Sequence, residues 1–290
     1  SPSDRLNIAG VGLGAVGCED LDRCSTENIV ALCDVDWDYA GHAFERWPDA
    51  ERYRDYRRML DREDDLDAVV VATPDHTHAV ITAAAMERGL HVYTEMPLAH
   101  SPHEVRRLQE IARETGVVTQ MGNRRHSGPN VRRTCELVWN GVLGPVRRAE
   151  CWTNRPTWPQ GMSGPEETRP APDSLDWNLW LGPAEKRPYS PAYHPGGWKG
   201  WQDFGTGALG AMGCHVMDAA FWPLKLGDAP SFTVEADSTG INEQTYPRAS
   251  TVRYRFPARG DMPPVTLTWR DGGRKPEPPG GLLEPVGNRL

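Results

Sequence analysis

Gly12, Gly14 and Gly17 form a GxGxxG run directly after an apolar stretch, Leu6 to Ala9. A polar segment follows, then a second apolar stretch, Ile29 to Cys33, that stops at Asp34. Each of these residues has a definite use in holding a dinucleotide. Gly12 permits a tight turn, Gly14 lets the backbone approach a pyrophosphate with no Cβ in the way, and Gly17 lets a helix pack close to the preceding strand. The free N–H groups at the start of that helix favour the phosphate charge. Asp34, about twenty residues on, accepts from the ribose hydroxyls. An acid at this point repels a 2′-phosphate, so NAD is expected in preference to NADP.

His76 and His78 are a second group with chemical potential. A His-x-His pair can bind metal, but no carboxylate or cysteine cluster accompanies it, and no metal is expected. Cys18, Cys24, Cys33, Cys135, Cys151 and Cys214 are scattered without CxxC spacing, which predicts buried free thiols rather than zinc or a disulfide framework. A net charge of −8 gives no electrostatic footprint for nucleic acid. No apolar run reaches the length of about 18 residues needed to span a membrane. The chain opens at Ser1 with no signal peptide, an appearance that processing or trimming also produces, so its compartment stays open.

The elements that must position these residues alternate. Tyr53 to Asp64 has helical periodicity, and after Asp67 the run AVVVAT reads as a strand buried on both faces, ending at Thr73-Pro74. Asp75 is placed to cap a helix through about Arg88, closed by Gly89, and Leu90 to Thr94 is the next strand. Ser101-Pro102-His103-Glu104 is a capping box that predicts a helix to Thr115, stopped by Gly116, before a strand over Val117 to Met121. Strands alternating with helices imply an α/β fold, a doubly wound parallel sheet with ligands at the carboxyl ends of its strands.

Beyond residue 124 the pattern changes, and the chain divides into a dinucleotide-binding Rossmann domain over 1–124 and an α+β domain over 125–290. A helix from Val131 to Asn140 leads to a strand over Val146 to Thr153. Residues 154–200 then carry nine prolines and four tryptophans with little periodicity. The tryptophans argue against disorder, leaving an ordered loop over a site or a packed structural arm. Gly205 to Leu226 is expected to contain a helix despite its glycines. Ser231 to Ser238, Ala249 to Phe256 and Val265 to Trp269 read as strands of an open, mainly antiparallel sheet. The last twenty residues, rich in Pro and Gly, look like a loop, and the C-terminal domain looks incomplete.

The stretches GLGAVG, ALCDVD, VVVATPDHTHA, VYTEMPLAHS, QMGNRRHSG, LDWNLWLGP and YHPGGWKGWQDFGTGALGAMGCHVMD cover most of residues 6–226. On them the chain resembles the Gfo/Idh/MocA family of nicotinamide-dependent sugar oxidoreductases, closest to a branch whose members are often exported. The resemblance implies a cytoplasmic or, after signal removal, periplasmic protein that self-associates and takes a small-molecule sugar or glycoside. It also implies that Thr73, Pro74, His76, His78, Glu95 and Met96 join Gly12, Gly14, Gly17 and Asp34 around the cofactor, with Asn123 placed to hydrogen-bond cofactor or substrate, or equally to cap a turn. Trp198, Lys199 and Asp203 fall to substrate. Two positions depart from the family pattern. Its Glu-Lys-Pro motif appears as Glu95-Met96-Pro97, and a thioether carries no charge and holds no proton. Its usual aspartate is replaced by Ala211, one helical turn before His215.

His215 is then the surviving acid/base, with an unperturbed pKa near 6.5, helped by Tyr193, His194 or Asp203 where the fold brings them near. Asp218 is as readily a solvated helix-face residue. Three functions follow from the resemblance. The first is NAD-dependent oxidation of a sugar or cyclic polyol by hydride transfer. The second is glycoside cleavage through transient oxidation and elimination, with no net NADH. The third is a cofactor-binding relative, natural or deliberately inactivated, that has lost its proton-transfer partners.

Overall fold

The computed structural model describes residues 4–277. Most of the Pro/Gly-rich terminal loop therefore lies outside the described residues. The chain forms two compact units: residues 1–122 with 165–199 and 203–205, and residues 123–164 with 200–202 and 206–290.

In the first unit, strands and helices alternate as β1 (Asn7–Val11), α1 (Ala15–Arg23), β2 (Asn28–Cys33), α2 (Gly41–Arg46), β3 (Glu51–Tyr53), α3 (Tyr56–Arg62), β4 (Ala68–Val71), α4 (Asp75–Met86), β5 (His91–Glu95), α5 (Pro102–Thr115) and β6 (Thr119–Gly122). The six strands lie in the order β3-β2-β1-β4-β5-β6, all parallel. The apolar run of β4 shows why the sheet needs cover on both sides. Val69 and Val71 join one core cluster, with Met59, Ile81 and Ile111, while Val70 joins the other, with Leu21, Leu32 and Phe44.

The capping box at Ser101 is present with both of its hydrogen bonds, and α5 ends at Gly116 with φ +70°. Two local readings differ. Pro74 is the N-cap of α4, and Asp75 is its first residue, where an acid complements the helix dipole. The segment expected as one helix from Tyr53 begins instead with the edge strand β3, and Asp55 caps α3 by accepting from the Arg57 N–H at 3.0 Å.

The second unit carries α6 (Pro129–Trp139), β7 (Arg148–Trp152), α8 (Gly207–Val216), α9 (Asp218–Phe221), β8 (Thr233–Ser238), β9 (Ser250–Phe256) and β10 (Val265–Arg270). Its sheet runs β7-β10-β9-β8. The two pairings of β9 are antiparallel, as expected, but β7 joins β10 in parallel, so the sheet is mixed. Val252, Phe256, Leu267 and Trp269 face Leu209, Met212 and Val216 of α8, and Trp269 is fully buried. The helix expected within Gly205 to Leu226 is present as α8, followed after Met217 by the short α9.

The proline- and tryptophan-rich stretch departs from a single division at residue 124. Its portion 165–199 packs with the first unit rather than the second. A short helix there, α7 (Trp177–Leu181), is capped by Asp176, which accepts from the Leu179 N–H at 3.0 Å.

Candidate nucleotide site

At the carboxyl ends of β1, β2 and β4 the first unit holds a cavity of about 680 Å³, within the range of small-molecule sites. Its floor is the glycine loop. Gly12 has φ +84°, and a Cβ there would stand 2.7 Å from the backbone of Ala72 and Thr73. A Cβ on Gly17 would stand 1.9 Å from the Gly12 carbonyl oxygen, so α1 reaches its place only because residue 17 has no side chain. Gly14, the N-cap of α1, brings no side chain to bond the helix start. The first N–H groups of α1 thus begin without a capping oxygen, which suits an anion.

Asp34 closes one end of the cavity, buried. Its Oδ2 accepts from the Leu13 N–H at 2.7 Å and its Oδ1 from the Asp36 N–H at 2.9 Å. Burial pushes this carboxyl above its ordinary value while those N–H groups pull it down. Each oxygen keeps a lone pair for a ribose hydroxyl. Next to it, His194 Nε2 lies 2.9 Å from Asp36 Oδ2, both residues being buried. Burial opposes the charge on Asp36, but hydrogen bonds from His194, Ser174 and the Tyr39 N–H outweigh it and hold Asp36 below the usual carboxylate value.

The opposite wall is Thr73 and Pro74, with Thr77, Val80 and Ile81 from α4. Trp198 and Lys199 line the cavity too, the ammonium lying 4.3 Å from the indole centroid of Trp198. Burial lowers Lys199, with the Asp75 charge acting against the shift.

Several of the expected contacts are placed elsewhere. His76 and His78 do not line the cavity. His76 is buried, with Nε2 3.1 Å from the Trp180 carbonyl and Nδ1 3.3 Å from that of Phe204, and burial takes it down to about 4. His78 spans the Thr73 and Pro97 carbonyls, both at 2.7 Å. The two histidines are internal posts that brace α4. Glu95 accepts from the Tyr93 hydroxyl at 2.9 Å and from the Met96 N–H at 3.2 Å, and neither Glu95 nor Met96 is a cavity wall.

Tyr193 is buried among Trp177 and Phe204, and Asp203 pairs with Arg187. These two, like His194, have their partners inside the first unit. Asn123 and His215 belong to the second unit, where the Asn123 side-chain N–H donates to the Cys214 carbonyl at 3.0 Å. Asp218 is not merely solvated. It faces His126 Nδ1 at 3.0 Å, and the His126 ring stacks on Trp222 with centroids 4.3 Å apart.

The most informative residue missed in the sequence is Trp180. It lines the cavity, it is 3% exposed, and its indole N–H is buried with no hydrogen-bond partner among the described residues. The only signal was the tryptophan-rich run LDWNLWLGP. Glycine loop, uncapped helix start and buried acid together fit a dinucleotide.

Comparison with known proteins agrees. The profile of the oxidoreductase family described as an NAD-binding Rossmann fold matches residues 6–123, and that of its C-terminal alpha/beta domain matches residues 127–260. The chain belongs to the Gfo/Idh/MocA oxidoreductase family. NAD is the cofactor this family fold serves. Among characterised Gfo/Idh/MocA relatives, a dTDP-3,4-didehydro-2,6-dideoxy-alpha-D-glucose 3-reductase of Actinomadura kijaniata is 29% identical over 164 residues, 53% of this chain and 49% of the relative. An inositol 2-dehydrogenase of Rubrobacter xylanophilus is 33% identical over 147 residues, 49% of this chain and 42% of the relative. The matched region thus spans about half the length of these relatives or less. The solved structure of GenD2 from gentamicin A biosynthesis, in complex with NAD, superposes with a TM-score of 0.67 at 22% identity, covering 96% of this chain and 68% of that one. It shares the fold.

Proposed function

We propose that this chain is the NAD-dependent part of an oxidoreductase that acts on a sugar or cyclic polyol by hydride transfer. The observation that carries the reading is the cavity in which Asp34, organised by two backbone N–H groups, faces the glycine loop. When bound there, NAD supplies the hydride acceptor. Thr73 and Pro74 orient its reacting end through the backbone at the end of β4. His215, in the last turn of α8, takes the hydroxyl proton on an imidazole nitrogen. Asn123 orients the reacting hydroxyl. Its side-chain N–H donates to the Cys214 carbonyl, and its Oδ1 is buried with no hydrogen-bond partner among the described residues.

A second reading, a nucleotide-binding relative without turnover, is favoured by two residues. Met96 and Ala211 leave His215 without the lysine and aspartate that the family pattern provides. We also propose that the second unit self-associates through its sheet, because β8 lies at the edge and is exposed along nearly its whole length. Light scattering should then report a homo-oligomer, and a monomer at micromolar concentration contradicts that.

The functional test is a panel of sugars, polyols and chromogenic glycosides, read both for NADH formation and for aglycone release. NADH formation abolished by His215→Ala is the expected result. Aglycone release without NADH moves the assignment to glycoside cleavage. Saturable NADH binding with neither activity selects the silent relative.

A further inference from the structure

Arg54, Arg57, Lys186 and Lys199 bring positive charge to the wall of the first unit's cavity. Arg54 and Arg57 follow β3 and are already engaged. Arg54 donates to the Val35 and Ser174 carbonyls at 3.1 and 2.6 Å, and Arg57 holds the two oxygens of Asp55, each at 2.8 Å. Lys186 is exposed. Lys199 differs from all three. It is half-buried, and its ammonium stands over the indole of Trp198, a ring face that attracts a cation without taking its proton. Its backbone lies so close to Gly205 that a Cβ there would stand 2.6 Å from the Lys199 Cα. The carboxylate whose charge reaches Lys199 is Asp75, the first residue of α4, so this cation serves the end of the cavity formed by Thr73 and Pro74. Burial lowers its pKa, and the Asp75 charge works against that shift.

A hydride leaving a carbinol carbon loads negative charge on the attached oxygen, and a fixed cation beside that oxygen stabilises it. Met96 carries no charge and is not a wall of the cavity. We propose that Lys199 is the charge-stabilising residue of this site, its ammonium donating to the reacting hydroxyl oxygen of the sugar or polyol in place of the lysine that residue 96 does not supply. This rests on the oxidoreductase reading above and deepens its site. The C–H electron pair leaves as hydride for the bound NAD, the O–H proton passes to the imidazole assigned above, and the C–O bond becomes a carbonyl. Lys199 keeps its three protons and changes only its hydrogen bond. The ammonium is the working form, so turnover falls as pH rises through the Lys199 pKa, which lies below its ordinary value of 10.5.

The chain contains four lysines, Lys186, Lys199, Lys225 and Lys275, so lysine labelled with carbon-13 at Cε gives a spectrum in which each can be titrated separately. Lys199→Arg identifies the signal at issue. Titrations are run on the chain alone, with NAD, and with NADH, whose dihydronicotinamide ring is uncharged. Lys199 is expected to titrate below 10.5 in the chain alone, and about one unit or more lower with NAD than with NADH, because the nicotinamide ring of NAD places a positive charge beside the ammonium. Equal titration with the two nucleotides puts Lys199 away from the reacting ring and overturns the proposal. Lys199→Met should keep the NADH dissociation constant within about threefold; a larger loss makes Lys199 a nucleotide-binding residue and also overturns it. With any sugar that the panel above shows to be oxidised, Lys199→Met is expected to lower kcat about a hundredfold with KM changed far less, and unchanged kcat contradicts the assignment. Lys199→Arg restores part of kcat, and the fall in kcat at alkaline pH is absent from both variants. A folded chain that binds neither nucleotide removes the nucleotide reading itself. Binding without oxidation of any sugar removes the oxidoreductase reading, and this proposal with it.

Discussion

The end of the nucleotide cavity at β2 and the helix that carries His215 make different use of their polar residues. Around the cavity, Asp34 accepts two backbone N–H groups and Asp36 holds His194. On α8, Ala211 stands one turn before His215, and in the first unit Met96 fills the place of a lysine. The first region holds the glycine loop and the acid on which the nucleotide reading rests. On the proposed reading, His215 is the one group left of the three that the family pattern supplies for proton transfer. Binding and turnover therefore respond separately to substitution, and the following changes pull them apart.

The largest effect is expected at Gly17. Gly17→Ala places a Cβ 1.9 Å from the Gly12 carbonyl, which cannot yield without deforming the loop. A loss of about 3 kcal/mol or more in unfolding free energy is expected, with nucleotide affinity falling more than about a hundredfold. Thermal melts and NADH titration measure both, and unchanged values would detach the glycine loop from binding.

Next is the internal post. His76 stays neutral in the folded chain down to about 4, whereas the unfolded chain takes up the proton near 6.5. Below 6.5 protons favour the unfolded state, so stability is full above that pH and declines until about 4. The shift corresponds to about 3 kcal/mol. Unfolding measured against pH should show this slope, and His76→Asn should flatten it.

Asp34→Ala removes an acceptor from both the loop and the ribose. NADH affinity should fall by about ten- to a hundredfold, and discrimination against NADP should shrink. The smallest expected effect is on chemistry. Met96→Lys with Ala211→Asp should raise turnover by about tenfold or more while leaving the NADH dissociation constant within about twofold. Equal movement of both quantities would erase the contrast between the two regions.

Much of the first unit was legible because its signals are local. GxGxxG, the capping box at Ser101 and the AVVVAT run each fix a backbone geometry within a few residues. The edge strand β3 was not legible, since three residues, two exposed and one half-buried, carry no periodicity. The place of 165–199 was hidden for another reason: its anchors, Ser174 to Arg54 and His194 to Asp36, join residues more than a hundred positions apart. His76 and His78 looked like ligand-facing residues because they follow a strand end, but helical phase turns them inward to backbone carbonyls. Trp180 could be suspected from its tryptophan-rich run, while its unmatched N–H is visible only in three dimensions.

The most direct measurement is a titration with NADH followed by energy transfer from the cavity tryptophans, Trp180 and Trp198, to the nicotinamide. Saturable transfer at one nucleotide per chain, weakened by Asp34→Ala, is the expected result. No transfer at any concentration, from a protein shown by its cooperative melt to be folded, contradicts the assignment of the cavity to NAD and everything proposed from it.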